Sequence, residues 1–389
     1  MQSAQAKRDM CPDEVMLRDF PFPYRSAIAI SNDCEFMSWK AFLDIYRFLC
    51  GTNGLDIEMS HSLFFFVTHA LCHSTFSYFQ GTSDVPSEYA PVIREMIQGG
   101  YIDTIHAYGD FDDGSFKRKL AEQVGEECMR HGLTFRAWTN HGSRRNVQNI
   151  GHRNLTNYQQ GDNPDHPCYH LDLLRPMGVH YWWVDDGYVK TPGDTARLFY
   201  DECARDGSQL RLFRRYRGLD GKPAPNASLL PEQILLSDID SIIAHRRTCV
   251  YYQHLGCWRK TVDGAFEANK PPYFSRAGFR VLEYLSQSFH EGKCLVSTVG
   301  RLLRYMDVRD SIKFSILNDQ ILVFSSSGRI TCEDLEGITF YARSPEKLRI
   351  IWQAENGVQT VLPAKVFLED ESHQGGLGVP WKRLPGFQW

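Results

Sequence analysis

Gly100-Tyr101-Ile102-Asp103-Thr104-Ile105-His106-Ala107-Tyr108-Gly109-Asp110-Phe111 is the stretch on which the reading of the whole chain turns. Its run Tyr-Ile-Asp-Thr-Ile predicts a strand that delivers His106 at its C-terminal end. A helical turn after it predicts that Asp110, four residues on, returns to the same face. An imidazole nitrogen and a carboxylate oxygen so placed suit a divalent cation of the zinc type, although the same spacing also arises with no metal at all.

Working outward, strand-like and helical patterns alternate. Arg25 to Ser31 reads as a strand, Trp39 to Cys50 as a helix, Ser62 to Thr68 as a buried strand, and Ser87 to Gln98 as a helix. A helix at Ser115 to His131 and strands at Thr134 to Thr139, His180 to Val184 and Cys249 to Gln253 follow, then a helix at Arg276 to His290. This order predicts an α/β fold, a parallel β/α barrel whose chemistry sits beyond the C-terminal ends of its strands. Gly151 to about Ala244, rich in Asn, Gly, Pro and Arg, reads as long inserted loops. After about Asp307 short β-type runs predict an appended C-terminal antiparallel β domain. The expected division is an N-terminal extension over 1–24, the barrel over 25–306 and the β-rich domain over 307–389.

Composition narrows the partners. A chain of 389 residues with 42% hydrophobic and 23% charged residues can bury a large core. The net charge of -4 is small and the basic residues are scattered, which argues against nucleic acid and anionic membrane surfaces. Aromatic residues reach 13%, which suits stacking on sugar rings and equally suits core packing. No apolar run approaches the roughly 18 to 20 residues of a membrane span, and the polar start lacks a secretory pattern. The 11 cysteines never fall at Cys-x-x-Cys spacing and read as reduced thiols, so the expected location is the cytoplasm.

Chemically capable groups gather at the predicted strand ends. The first strand finishes in Ser31-Asn32-Asp33-Cys34-Glu35, two carboxylates of which one could hold metal while the other takes a proton from water. Trp138-Thr139-Asn140-His141-Gly142 presents a second imidazole; His141 is either a ligand or a hydrogen-bonded loop residue. Trp182, Trp183, Asp185 and Asp186 follow, and Tyr252-Gln253-His254 ends a buried strand with a histidine suited to a general acid. A rival pair, His69 and His73, has no acid or glycine beside it and reads as packing. In the inserted region His166, His170 and Asp172 read as loop groups, with substrate contact as the alternative.

The order of these pieces resembles the polysaccharide deacetylase, or NodB-homology, family of carbohydrate esterases. Ser31 to Glu35 is similar to the family's opening acid pair, Leu63-Phe64-Phe65-Phe66 to its next strand, and Gly100 to Phe111 to its strand ending in two histidines four apart. Phe135-Arg136 resembles the family's Arg-containing strand, Tyr181 to Asp185 its Asp and Trp strand, and Tyr252 to Leu255 its late Leu-x-His strand. The resemblance covers about residues 25 to 306. It implies a distorted barrel of about seven strands, with Glu35, His106 and Asp110 as metal ligands; because Asp110 departs from the family's histidine, His141 is expected as an additional one. It further implies Asp33 as base, His254 as acid, Asp185 as an orienting partner, and Arg136, Trp182 and Trp183 along the substrate, where Asn140 and His170 are also expected from their places in the loops. The expected cofactor is Zn2+, with Mn2+, Co2+ and Ni2+ as alternatives, since Asp110 in place of a histidine favours harder ions. The expected activity is removal of an acetyl group from a sugar of a polysaccharide, glycolipid or nucleotide-linked glycan. A non-catalytic carbohydrate-binding protein and a glycoside hydrolase using two carboxylates are the alternatives.

Overall fold

The computed structural model describes residues 15–68, 75–142, 145–151, 158–184, 187–194, 198–220, 222, 224–261, 265–326, 329–370 and 372–387. Two compact units share the chain, one of Ser26–Leu303 with Leu384–Trp389, the other of Met1–Arg25 with Arg304–Arg383.

The larger unit is built on a curled, half-barrel sheet. Its strands in chain order are β1 (Ala27–Asn32), β2 (Ser60–Leu63), β3 (Ile102–His106), β4 (Ala137–Thr139), β5 (Tyr181–Trp183), β6 (Tyr188–Val189), β7 (Phe199–Cys203), β8 (Gln209–Phe213), β9 (Arg215–Tyr216), β10 (Thr248–Gln253) and β11 (Leu295–Ser297). The order across the sheet is β6-β9-β10-β1-β2-β3-β4-β5-β8-β7, parallel throughout except for the β7–β8 hairpin.

β1 explains the centre. All six residues of Ala-Ile-Ala-Ile-Ser-Asn are buried, as expected of a parallel strand covered on both faces. One edge pairs with β10 from Ala27 to Asn32, while the other is shared, β11 lying along Ala27 to Ala29 and β2 along Ser31 and Asn32. Amphipathic helices cover the sheet: Trp39–Cys50, capped by the Ser38 hydroxyl on Ala41 N, and Arg276–His290, capped by Ser275. At the N-terminal end of the strands, buried Asp103 accepts from Gly300 N in the first turn of the Val299–Ser311 helix at 2.6 Å.

The inserted region departs from the expectation of loops. It contributes β6, β7, β8 and β9, which lengthen the sheet at both ends of its order. Their pattern is hard to read because β7 is half exposed and β6 and β9 are two residues each. The β7–β8 hairpin turns at Gly207, whose φ of 84° belongs to the left-handed region. The ends of the order, β6 and β7, are not paired with each other among the described residues.

In the smaller unit, Met16–Leu17, Thr339–Tyr341, Gly376–Gly378 and Lys365–Phe367 form one antiparallel sheet. Residues before Arg25 therefore contribute a strand here, and Arg18 is buried with Nε on the Tyr341 hydroxyl at 3.0 Å. A second sheet runs Lys313–Leu317, Gln320–Phe324, Arg349–Gln353 and Gln359–Val361. It is not purely antiparallel, since Arg349–Gln353 runs parallel to Gln320–Phe324. Residues from Leu384 onward return to the larger unit, Leu384 N donating to Glu58 at 3.0 Å.

Candidate functional site

The C-terminal ends of β1, β3 and β10 converge. Past β1 the backbone continues one step, Asp33 N donating to Gln253 O, then turns so that Met37 N donates to Cys34 O. That turn separates the two acids. Asp33 accepts from Arg215 Nη1 at 2.8 and 3.1 Å, whereas Glu35 stands between two imidazoles. Glu35 Oε1 lies 2.6 Å from His254 Nε2, and Oε2 lies 3.3 Å from His106 Nδ1. The other face of His106 looks toward Asp33, Nε2 to Oδ2 being 3.7 Å. All of these groups are buried.

Their charge states follow from these neighbours. Burial alone would raise the Glu35 carboxyl, but His254 and His106 hold it well below the usual carboxylate range. Burial alone would lower His254, yet Glu35 and Asp33 raise it. Both of its nitrogens face oxygen, Nδ1 donating to Pro225 O at 2.7 Å, while the Tyr252 hydroxyl stands 3.0 Å from Nε2. The pair thus favours a carboxylate beside a protonated imidazole, held in place by Pro225 O.

Sequence reasoning did not find Arg215 or Tyr252. Arg215 is fully buried, its guanidinium carbon 3.7 Å from the Trp183 ring centroid and 4.1 Å from that of Tyr252. Tyr252 carried a signal, because residues two apart on a strand share a side and His254 lies two further on. A buried arginine in Arg214-Arg215-Tyr216 carries no such mark.

Among the expected site residues, Asp33, Glu35, His106 and His254 come together, and Trp183 reaches them through Arg215. Asp110 does not follow the expected course, for no helical turn follows β3. Ala107 takes a left-handed φ of 44°, and Gly109 bridges Phe66. The Asp110 carboxylate instead accepts from Thr68 N and Oγ1, both at 2.7 Å. His141 stands edge-on to His106, ring centroids 5.0 Å apart, its backbone clamped by Asn146 and Asn149 and its Nδ1 3.4 Å from Asp112. Burial opposes its charge, but Asp112, Glu35 and Asp110 raise it above the ordinary imidazole range.

Four residues expected along the substrate have other partners. Arg136 is exposed at the entry to β4, where its neighbours start the strand, and so stands at the end opposite His106. Asn140 staples a loop, its Oδ1 accepting from Trp138 Nε1 and Ile150 N. Trp182 is buried under Arg175, since adjacent residues on β5 face opposite sides. His170 is caged by Tyr108, Phe116 and Trp138 and donates to Gln148 O. Asp185, Asp186, His69 and His73 lie outside the described residues.

Two donors fit a cation. Bonds of about 2.0–2.1 Å in a tetrahedron put neighbouring ligand atoms about 3.3 Å apart, and Glu35 Oε2 and His106 Nδ1 are separated by 3.3 Å. Both atoms are buried, and among the described residues neither has a hydrogen bond to a third group. Among the described residues no group of three or more His, Cys, Asp or Glu is arranged to hold a metal ion. No helix among them is long and apolar enough to cross a membrane.

No model of a known protein family matches the chain, and no curated protein and no solved structure matches it either.

Proposed function

We propose that the larger unit is a metal-dependent hydrolase that removes an acetyl group from a sugar, on a divergent barrel of the polysaccharide deacetylase kind. The observation that supports this reading is Glu35 between two imidazoles, with Oε2 and His106 Nδ1 facing each other at the spacing of two ligands and bonded to no third group among the described residues. Glu35 and His106 would hold a divalent cation, with His141 the nearest further imidazole; Zn2+ suits the donors best. When bound, such an ion acidifies water and polarises an acyl carbonyl. Asp33, fixed by Arg215, accepts the proton of the attacking water. His254, protonated beside Glu35, gives its proton to the departing amine or alkoxide. Tyr252 keeps the His254 ring in place.

Acetate release from acetylated oligosaccharides by the purified protein, with elemental analysis of bound zinc, manganese, cobalt and nickel, tests the reading. Release that a chelator abolishes supports it, and metal-free protein with no release overturns it. The tie of Asp110 to Thr68 favours one second reading, a carbohydrate-binding protein without catalysis. Glycan binding without acetate release identifies that case.

A further inference from the structure

Arg215 uses less of its guanidinium than a buried arginine normally does. Nη1 alone donates, to both Asp33 oxygens at 2.8 and 3.1 Å and to Ser31 Oγ at 3.3 Å. Among the described residues Nε and Nη2 have no hydrogen-bond partner, although the residue is fully buried. Those two nitrogens form the side-on fork of the guanidinium, whose parallel N–H bonds match two oxygens of a planar anion. Leaving such donors buried and unsatisfied is costly, and most buried polar groups find a partner. Stacking fixes the plane of the fork: Trp183 and Tyr252 lie near the guanidinium carbon at 3.7 and 4.1 Å, their ring planes inclined by 23°. Trp183 is itself fixed, its Nε1 donating to Gly187 O at 2.9 Å.

We propose that the Nε–Nη2 edge of Arg215 is a carboxylate-recognition site, and that the carboxylate of a ligand of the catalytic centre binds there in bidentate fashion. Asp33, on the same guanidinium, ties this fork to the acid pair and to His106. Two sources share the chemistry: the acid released by acyl hydrolysis, and a carboxyl group carried by the sugar. The fork is independent of catalysis, and only the choice of these two guests rests on the hydrolase reading.

Calorimetric titration of the full chain with acetate, with a free hexuronic acid and with inorganic phosphate tests the proposal, each in the wild type and in Arg215→Lys. Lysine keeps a cation beside Asp33 and loses the planar fork. Carboxylate binding that weakens about ten- to a hundredfold in Arg215→Lys is expected, the loss typical of charge-assisted hydrogen bonds. A stronger response to acetate assigns the site to the released acid, and a stronger response to hexuronate assigns it to the substrate. No carboxylate binding by the wild type, or equal binding by the variant, overturns the proposal. Should the variant not fold, [15N]arginine-labelled wild type serves, where acetate is expected to shift a slowly exchanging Nε–Hε resonance; no shifted arginine signal is the contrary result. Binding is read without turnover, so an inactive protein that still binds carboxylate refutes the hydrolase reading and leaves the fork standing.

Discussion

Arg215→Met isolates the interaction that holds the site together. Asp33 and Arg215 are each 1% exposed at the side chain and meet at 2.8 Å, so removing the guanidinium strands a buried carboxylate. Breaking one partner of such a pair costs about 3–5 kcal/mol. Loss of the stacking on Trp183 and Tyr252 adds about 1–2 kcal/mol, since methionine refills part of the gap. The single variant is therefore expected to lose about 4–7 kcal/mol, much of the stability of an ordinary domain. Asp33→Asn in the same chain removes the stranded charge, and the double variant is expected to recover about 3 kcal/mol relative to the sum of the singles. Urea unfolding followed by tryptophan fluorescence and far-ultraviolet dichroism measures all three. Single effects that add to within about 0.5 kcal/mol would show that the two charges are not coupled and that Arg215 acts only by filling space.

His106→Ala is expected to abolish both bound metal and acetate release, measured by elemental analysis and an acetate assay; retained turnover excludes the proposed centre. Burial lowers the imidazoles of His61 and His170 from the ordinary 6.5 to about 3 and about 4. Depressed values mean that the stability these groups contribute is present above pH 6.5 and is lost as pH falls toward the folded values. The loss is about 1.4 kcal/mol per histidine per pH unit, or about 4 kcal/mol for both at pH 5. His170→Phe, in its cage of aromatic rings, should flatten half of this slope in urea titrations, and an unchanged slope removes His170 from the account. Gly109→Ala places a methyl group against the Phe66 carbonyl, and a drop of about 2–4 kcal/mol in unfolding free energy is expected from the forced backbone shift. Unchanged stability there would mean that the Phe66–Gly109 bridge yields freely.

What could be read from the chain alone is whatever depends on neighbours in sequence. The apolar run of β1 and the alternation of strands and helices place Asp33, Glu35, His106 and His254 at strand ends, and parallel strands bring their ends to one rim. The rest depends on residues distant in numbering. Spacing and the family resemblance both pair Asp110 with His106, yet the left-handed Ala107 and the bridge from Gly109 to Phe66 turn the chain so that Thr68 binds the carboxylate. Trp182 and Trp183 are adjacent and chemically alike, so only the fold decides which meets Arg215 and which meets Arg175. Arg215 arrives on a two-residue strand from the region read as loops. The centre is consequently a charge balance and not a motif. Asp33 faces the Arg215 guanidinium and Glu35 faces the His254 imidazole, each buried acid tolerated because a basic group from another strand answers it. A sequence displays the acids and the cations, but which cation answers which acid is settled only by strand order, here the insertion of β9 beside β10 at the edge of β1.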